Sequence, residues 1–125
     1  VLYKHGGVFA TIDCTCDRPL SGMIKGDDDF LAGLQPTIES RVLAKQVGLQ
    51  HHTMPLQQFC FASAPGHPIL RFLIDYVTKH TDRKLCDDNP QVDTLLRSGA
   101  GPFTDAVLAF QKHPMEGRAA RVAMV

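Results

Sequence analysis

The apolar positions of this chain come in short blocks, each cut off by glycine, proline or acidic residues. Val8 to Ile12 is apolar and rich in β-formers, which predicts a buried parallel strand. Ahead of it, Val1 to Gly7 reads as the last turn of a helix stopped by a C-cap glycine. A domain rarely opens on the last turn of a helix, so the N-terminal part is expected to lie outside this stretch. Asp17-Arg18-Pro19 breaks the chain, and Leu20 to Ile24 predicts a single helical turn. Phe30 to Leu34 predicts a second short strand. Between Pro36 and His52 the pattern is weak, with Ile38, Val42, Val47 and Leu49 fitting a helix loosely. Leu56 to Ala64 predicts a strand-containing segment, closed by the turn Pro65-Gly66-His67-Pro68 with proline at the first helical position.

The helix after that turn carries the clearest periodicity. Ile69, Leu70, Leu73, Ile74 and Val77 recur at helical spacing, with Arg71, Asp75, Lys79 and His80 on other faces. Asn89-Pro90 opens a further helix with Val92, Leu95 and Leu96 as its apolar side. Ser98 to Pro102 reads as a small-residue loop, and Phe103 to Lys112 as a helix. Short strands alternating with helices predict an α/β fold, a mixed sheet flanked by helices, with residues 1–125 as one partial domain.

Composition narrows the classes. Hydrophobic content of 44% and charged content of 21% over 125 residues are ordinary for a globular chain with a modest core. Formal net charge is zero, no basic block occurs, tryptophan is absent and aromatics make up 7%. Nucleic-acid binding and an anionic membrane surface are therefore not expected. No apolar run approaches the length of a membrane-spanning helix, and the first residues lack the features of a signal peptide.

The candidate chemistry starts at Gly6 to Asp13, a helix stop and a strand that delivers a carboxylate at its C-terminal end. Open α/β sheets bind ligands in the crevice outside the carboxyl ends of their strands. A second acid two residues earlier would make a metal clamp, but Thr11 stands there. Cys14-Thr15-Cys16 is too tight for a zinc knuckle, and both side chains would share one strand face as small apolar groups. A disulfide from Cys16 or Cys60 to Cys86 fits an oxidising compartment without being fixed by the sequence. Asp27-Asp28-Asp29 reads as a solvated turn, Asp75 as a surface acid, His51-His52 as loop histidines and His67 as a helix-opening residue. Gly99 and Gly101 before a helix can present backbone N–H groups to a phosphate or sugar oxygen. The alternative is a tight turn with Thr104 or Asp105 as helix cap.

Three separated stretches together resemble glycosyltransferase family 32. Leu2 to Ala10 is similar to the Leu-Tyr-Lys-Tyr-Gly-Gly-Val-Tyr-Ala that leads into the family's acidic motif. Ile12-Asp13 continues that motif, and Cys16 with Arg18-Pro19-Leu20 resembles the Cys-x-Lys-Pro after it. Gln57 to Leu70 resembles the family's middle block, and Ser98 to Ala106 its Thr-Gly-Pro-Gly-Val-Trp-Thr-Asp-Ala block. The blocks occur in the family's order and span nearly the whole chain.

The resemblance implies a GT-A fold and a retaining transferase that uses an Asp-x-Asp motif and Mn²⁺ or Mg²⁺. It implies GDP-mannose as donor, a glycan or glycolipid hydroxyl as acceptor, and a Golgi type II membrane protein at full length. Asp13 matches the second acid of the motif and is the expected metal ligand and catalytic residue, while Thr11 replaces the first. Gly6, Gly7, Thr11, Asp13, Gly99, Gly101, Thr104 and Asp105 are the expected donor-binding residues. Loss of one acid leaves a non-catalytic domain of the same fold as the competing reading. Thr11 to Thr15 also resembles the Asp-x-Asp-x-Thr motif of haloacid-dehalogenase phosphatases, but there the first acid is the nucleophile, and a threonine would abolish the reaction.

Overall fold

The computed structural model describes residues 1–35, 41–46, 54–114 and 121–123. In chain order these form α1 (Leu2–His5), β1 (Gly7–Ala10), a 3-10 turn (Leu20–Gly22), β2 (Phe30–Leu34) and α2 (Arg41–Gln46). Then follow β3 (Leu56–Ser63), α3 (Pro68–His80), α4 (Pro90–Ser98), α5 (Ala100–Lys112) and β4 (Arg121–Ala123). The expected mixed α/β architecture is present. The sheet runs β1-β3-β2-β4, antiparallel at β1/β3 and β3/β2 and parallel at β2/β4.

Strand β2 lies inside the sheet, and its Phe30, Leu31, Ala32 and Gly33 are all buried. Along α5, Phe103, Ala106, Val107 and Phe110 fall at helical spacing and close over it. Leu56 of β3 and Ile69 and Leu70 of α3 complete the core. The Phe103 ring sits 5.0 Å from Phe61 and 6.1 Å from Phe30, in the tilted arrangements that aromatic quadrupoles favour.

Strand β1 differs from the expectation of a buried parallel strand. It is antiparallel to β3 and pairs with no other described strand, so its apolar side chains have little to cover them. Val8 remains 39% and Phe9 42% exposed, with the Phe9 ring 5.3 Å from that of Phe61. A strand's own apolarity does not tell how many neighbours it will have. The expected loop at 98–102 also differs. Gly99 alone separates α4 from α5, its N–H donating to Leu95 O at 2.7 Å. Pro102 sits in the first turn of α5, where no N–H is required. On α3 only Ile69 and Leu70 are fully buried, whereas Ile74 and Val77 stay open because α5 and α4 cover the helix mainly on one side.

His67 behaves as the expected opener of α3. Its Nδ1 accepts the Ile69 N–H at 3.2 Å, and its buried ring lies between Phe30 and Phe110. Asn89 caps α4 by accepting from the Gln91 and Val92 N–H groups. Asp75 is a surface acid paired with Arg71, Nε to Oδ2 3.2 Å. Asp28 is not the solvated acid that was expected. Its buried carboxylate takes a two-pronged ion pair from Arg121 on β4, with Nε to Oδ1 at 2.6 Å, and the Lys25 N–H at 2.8 Å. His51-His52, like Ile38, Val47 and Leu49, lies outside the described residues.

Candidate functional site

Beyond Ala10 the chain leaves β1 in a tight turn. Thr11 N–H donates to Phe59 O at 2.9 Å, and Cys14 N–H closes the turn on Thr11 O at 3.0 Å. Ile12 and Asp13 at its tip are exposed. The Thr11 hydroxyl and the turn's own backbone N–H hold the Asp13 carboxyl below the usual carboxylate range. Asp13 is an accessible carboxylate, ionised at neutral pH.

The floor beneath this turn is a bulge in β3. Ala32 stands opposite Phe61 and Leu34 opposite Leu56, so β3 crosses the gap with Gln57 to Cys60 and β2 with Gly33 alone. Extra residues of this kind bend a strand and re-aim its side chains, often beside functional sites. Here Gln57 Nε2 donates to Leu34 O at 3.0 Å, and Gln58 Nε2 to Ser98 O at 2.5 Å. Adjacent residues of one bulge therefore hold the end of the acidic stretch, through Phe59, and the α4–α5 junction, through Gln58. Sequence reading missed the bulge, although Gln57-Gln58 inside an otherwise apolar strand is the signal that could have revealed it.

The expected donor-binding residues divide among three places. Thr11 and Asp13 form the turn. Gly6 and Gly7 line a cavity of about 250 Å³, shared with Asp28, Asp29, Ser63 and Pro65. Gly7 pairs with Ser63, whereas Ala10 pairs with Cys60, so the cavity and Asp13 lie at opposite ends of β1. The third group belongs to α5 and its lead-in. Gly99 and Gly101 are buried, Asp105 is exposed, and Thr104 is enclosed in the core. The Thr104 hydroxyl donates to Ala100 O at 2.7 Å and accepts the Leu56 N–H at 2.9 Å, so it ties α5 to β3 rather than capping the helix. Gly6 and Gly99 also have packing reasons for being glycine. A Cβ at Gly6, where φ is +67°, would stand 2.7 Å from Pro65 Cδ, and one at Gly99 would stand 2.4 Å from Leu95 O.

Among the described residues, no group of three or more His, Cys, Asp or Glu side chains is arranged to hold a metal ion. At the tip of the turn Asp13 offers a carboxylate. A hard divalent ion held through one carboxylate takes its other ligands from phosphates and water. The turn fits such an ion only together with a diphosphate.

The four cysteines are free thiols. No described helix is long and apolar enough to cross a membrane. Comparison of the chain with family models, curated proteins and solved structures returns no match.

Proposed function

We propose that the chain is part of a retaining, metal-assisted GT-A glycosyltransferase similar to family 32, with GDP-mannose as donor and a glycan or glycolipid hydroxyl as acceptor. The observation that carries this reading is the bulge of β3. Residues of the middle stretch hold the end of the acidic stretch by Thr11 N–H to Phe59 O, and the third stretch by Gln58 Nε2 to Ser98 O. Three stretches that resemble one family are thus joined at one place.

In this reading Asp13 would hold Mn²⁺ or Mg²⁺ through its carboxylate, together with the donor's diphosphate. A bound ion would supply Lewis-acid neutralisation of the charge on the departing diphosphate. The Thr11 hydroxyl lowers the Asp13 pKa and stands beside its carboxylate. Exposure of Ile12 and Asp13 leaves the turn open to a bulky acceptor. A Golgi setting belongs to the same reading of the full-length protein.

The non-catalytic alternative is favoured by one observation, Thr11 at the position of the motif's first acid, which leaves Asp13 as the motif's one carboxylate. Calorimetric titration of the protein with GDP-mannose, with and without Mn²⁺, separates the two. The transferase reading expects binding strengthened by Mn²⁺, with Asp13→Asn weakening the metal-dependent part on the order of tenfold or more, about 1.4 kcal/mol. Equal binding with and without metal sinks it and leaves the binding domain.

A further inference from the structure

Cys14 and Cys60 stand on neighbouring segments where the turn after β1 folds back on β3. The register sets Ala10 opposite Cys60, and the turn is pinned by Thr11 N–H to Phe59 O at 2.9 Å. The returning chain carries the Cys14 sulfur to 3.7 Å from the Phe59 carbonyl oxygen, one peptide bond from Cys60. The same sulfur lies 3.3 Å from Thr11 Oγ1. Cys16 is turned to its own segment, its thiol donating to Arg18 O at 3.1 Å. Cys86 belongs to a different place, with its N–H bonded to Asp93 at the α3–α4 connection. Burial, followed by the nearby Cys14 and Cys16, pushes the Cys60 thiol up, which agrees with a crowded group of sulfurs.

We propose that Cys14 and Cys60 form an intramolecular disulfide that fastens the turn carrying Asp13 to β3. Both are half-buried, and the hydrogen bond to Phe59 already holds the turn against the residue that precedes Cys60. The oxidant is a small-molecule disulfide of the glutathione class. One cysteine, as thiolate, attacks it and forms a mixed disulfide, releasing the first small thiolate. The second cysteine attacks the protein sulfur of that intermediate and releases the other. Two protein thiols are oxidised, one small disulfide is reduced to two thiols, and the protons pass through water. The bond replaces the Cys14 contacts with Thr11 and Phe59 O by a covalent tie. It thereby restricts the turn whatever ligand Asp13 serves.

The test is oxidation of the folded protein by oxidised glutathione, followed by non-reducing digestion and mass spectrometry. The expected result is a Cys14–Cys60 linked peptide and a fall from four free thiols to two. Cys14→Ser and Cys60→Ser each prevent the link, whereas Cys86→Ser retains it. The wild-type peptide map stands even if a variant misfolds. A link to Cys16 or Cys86, or four thiols remaining after oxidation, overturns the proposal.

Discussion

Thr104 shows how much one hydroxyl can settle. It sits in the core and satisfies two backbone groups, the Leu56 N–H and the Ala100 carbonyl. Thr104→Val keeps the shape but leaves a buried N–H without its acceptor, which costs roughly 1–3 kcal/mol. Thr104→Ser keeps the oxygen and should recover most of that loss, as urea unfolding of the two variants would report. A pocket-lining role predicts instead that both variants unfold like the wild type. The threonine was visible in the sequence as a member of a family-like stretch, but its partner Leu56 N–H was not. Spacing along a chain does not reveal which strand a helix will cover. Asp28 was misread for the same reason, since Arg121, which removes it from solvent, stands far along the chain. The exposed place of Asp13 past β1 was legible, because a carboxylate just past a strand end needs no distant partner to be exposed.

At the level of elements, the stops were read more faithfully than the burial. Phe30–Leu34 and the start of α3 at Pro68 match their sequence signals, because glycine, proline and capping groups act locally. The single helical turn after Pro19 is present as the 3-10 turn. Burial of β1 and the true extent of α5 were not legible, because each depends on what lies across the sheet or in the preceding helix. Glycine at the end of α1 illustrates a local signal with a nonlocal reason. Gly6→Ala meets both a positive φ and the Pro65 ring, so it should destabilise the fold by about 1–3 kcal/mol. Gly22→Ala, with a negative φ and open space around its Cβ, serves as the control and should unfold with little change in midpoint in denaturant titration. Equal midpoints for the two variants would show that the α1–Pro65 contact does not matter.

Across the whole molecule, the Asp28–Arg121 pair joins the start of β2 to the far end of the sheet. In the folded chain Asp28 is pulled from its ordinary 3.8 down to about 2, chiefly by the Arg121 hydrogen bonds. A carboxylate with a lowered folded pKa stabilises the fold fully above about pH 4, and the contribution fades as pH falls from there toward 2. Asp28→Asn should therefore lose stability at pH 6, and the gap to wild type should narrow as acid is added. A gap that stays constant across that range would separate the pair from acid sensitivity. Another long-range tie is the bulge of β3, where the three family-like stretches converge. Neither tie could be read from one sequence, since each joins residues by register rather than by pattern.

The strand order carries a consequence for how the chain comes to be folded. β2 is synthesised before both of its described partners, residues 56–63 and 121–123. During vectorial synthesis it must wait for both, and its second edge stays uncovered until almost the whole stretch has emerged. Pairings of such wide separation fold slowly, because loop-closure entropy is met before the contacts that repay it. An unpaired apolar strand is also a template for pairing between chains. The parallel β4 is small, but its arrival ends the period in which Phe30 to Leu34 is open to another molecule.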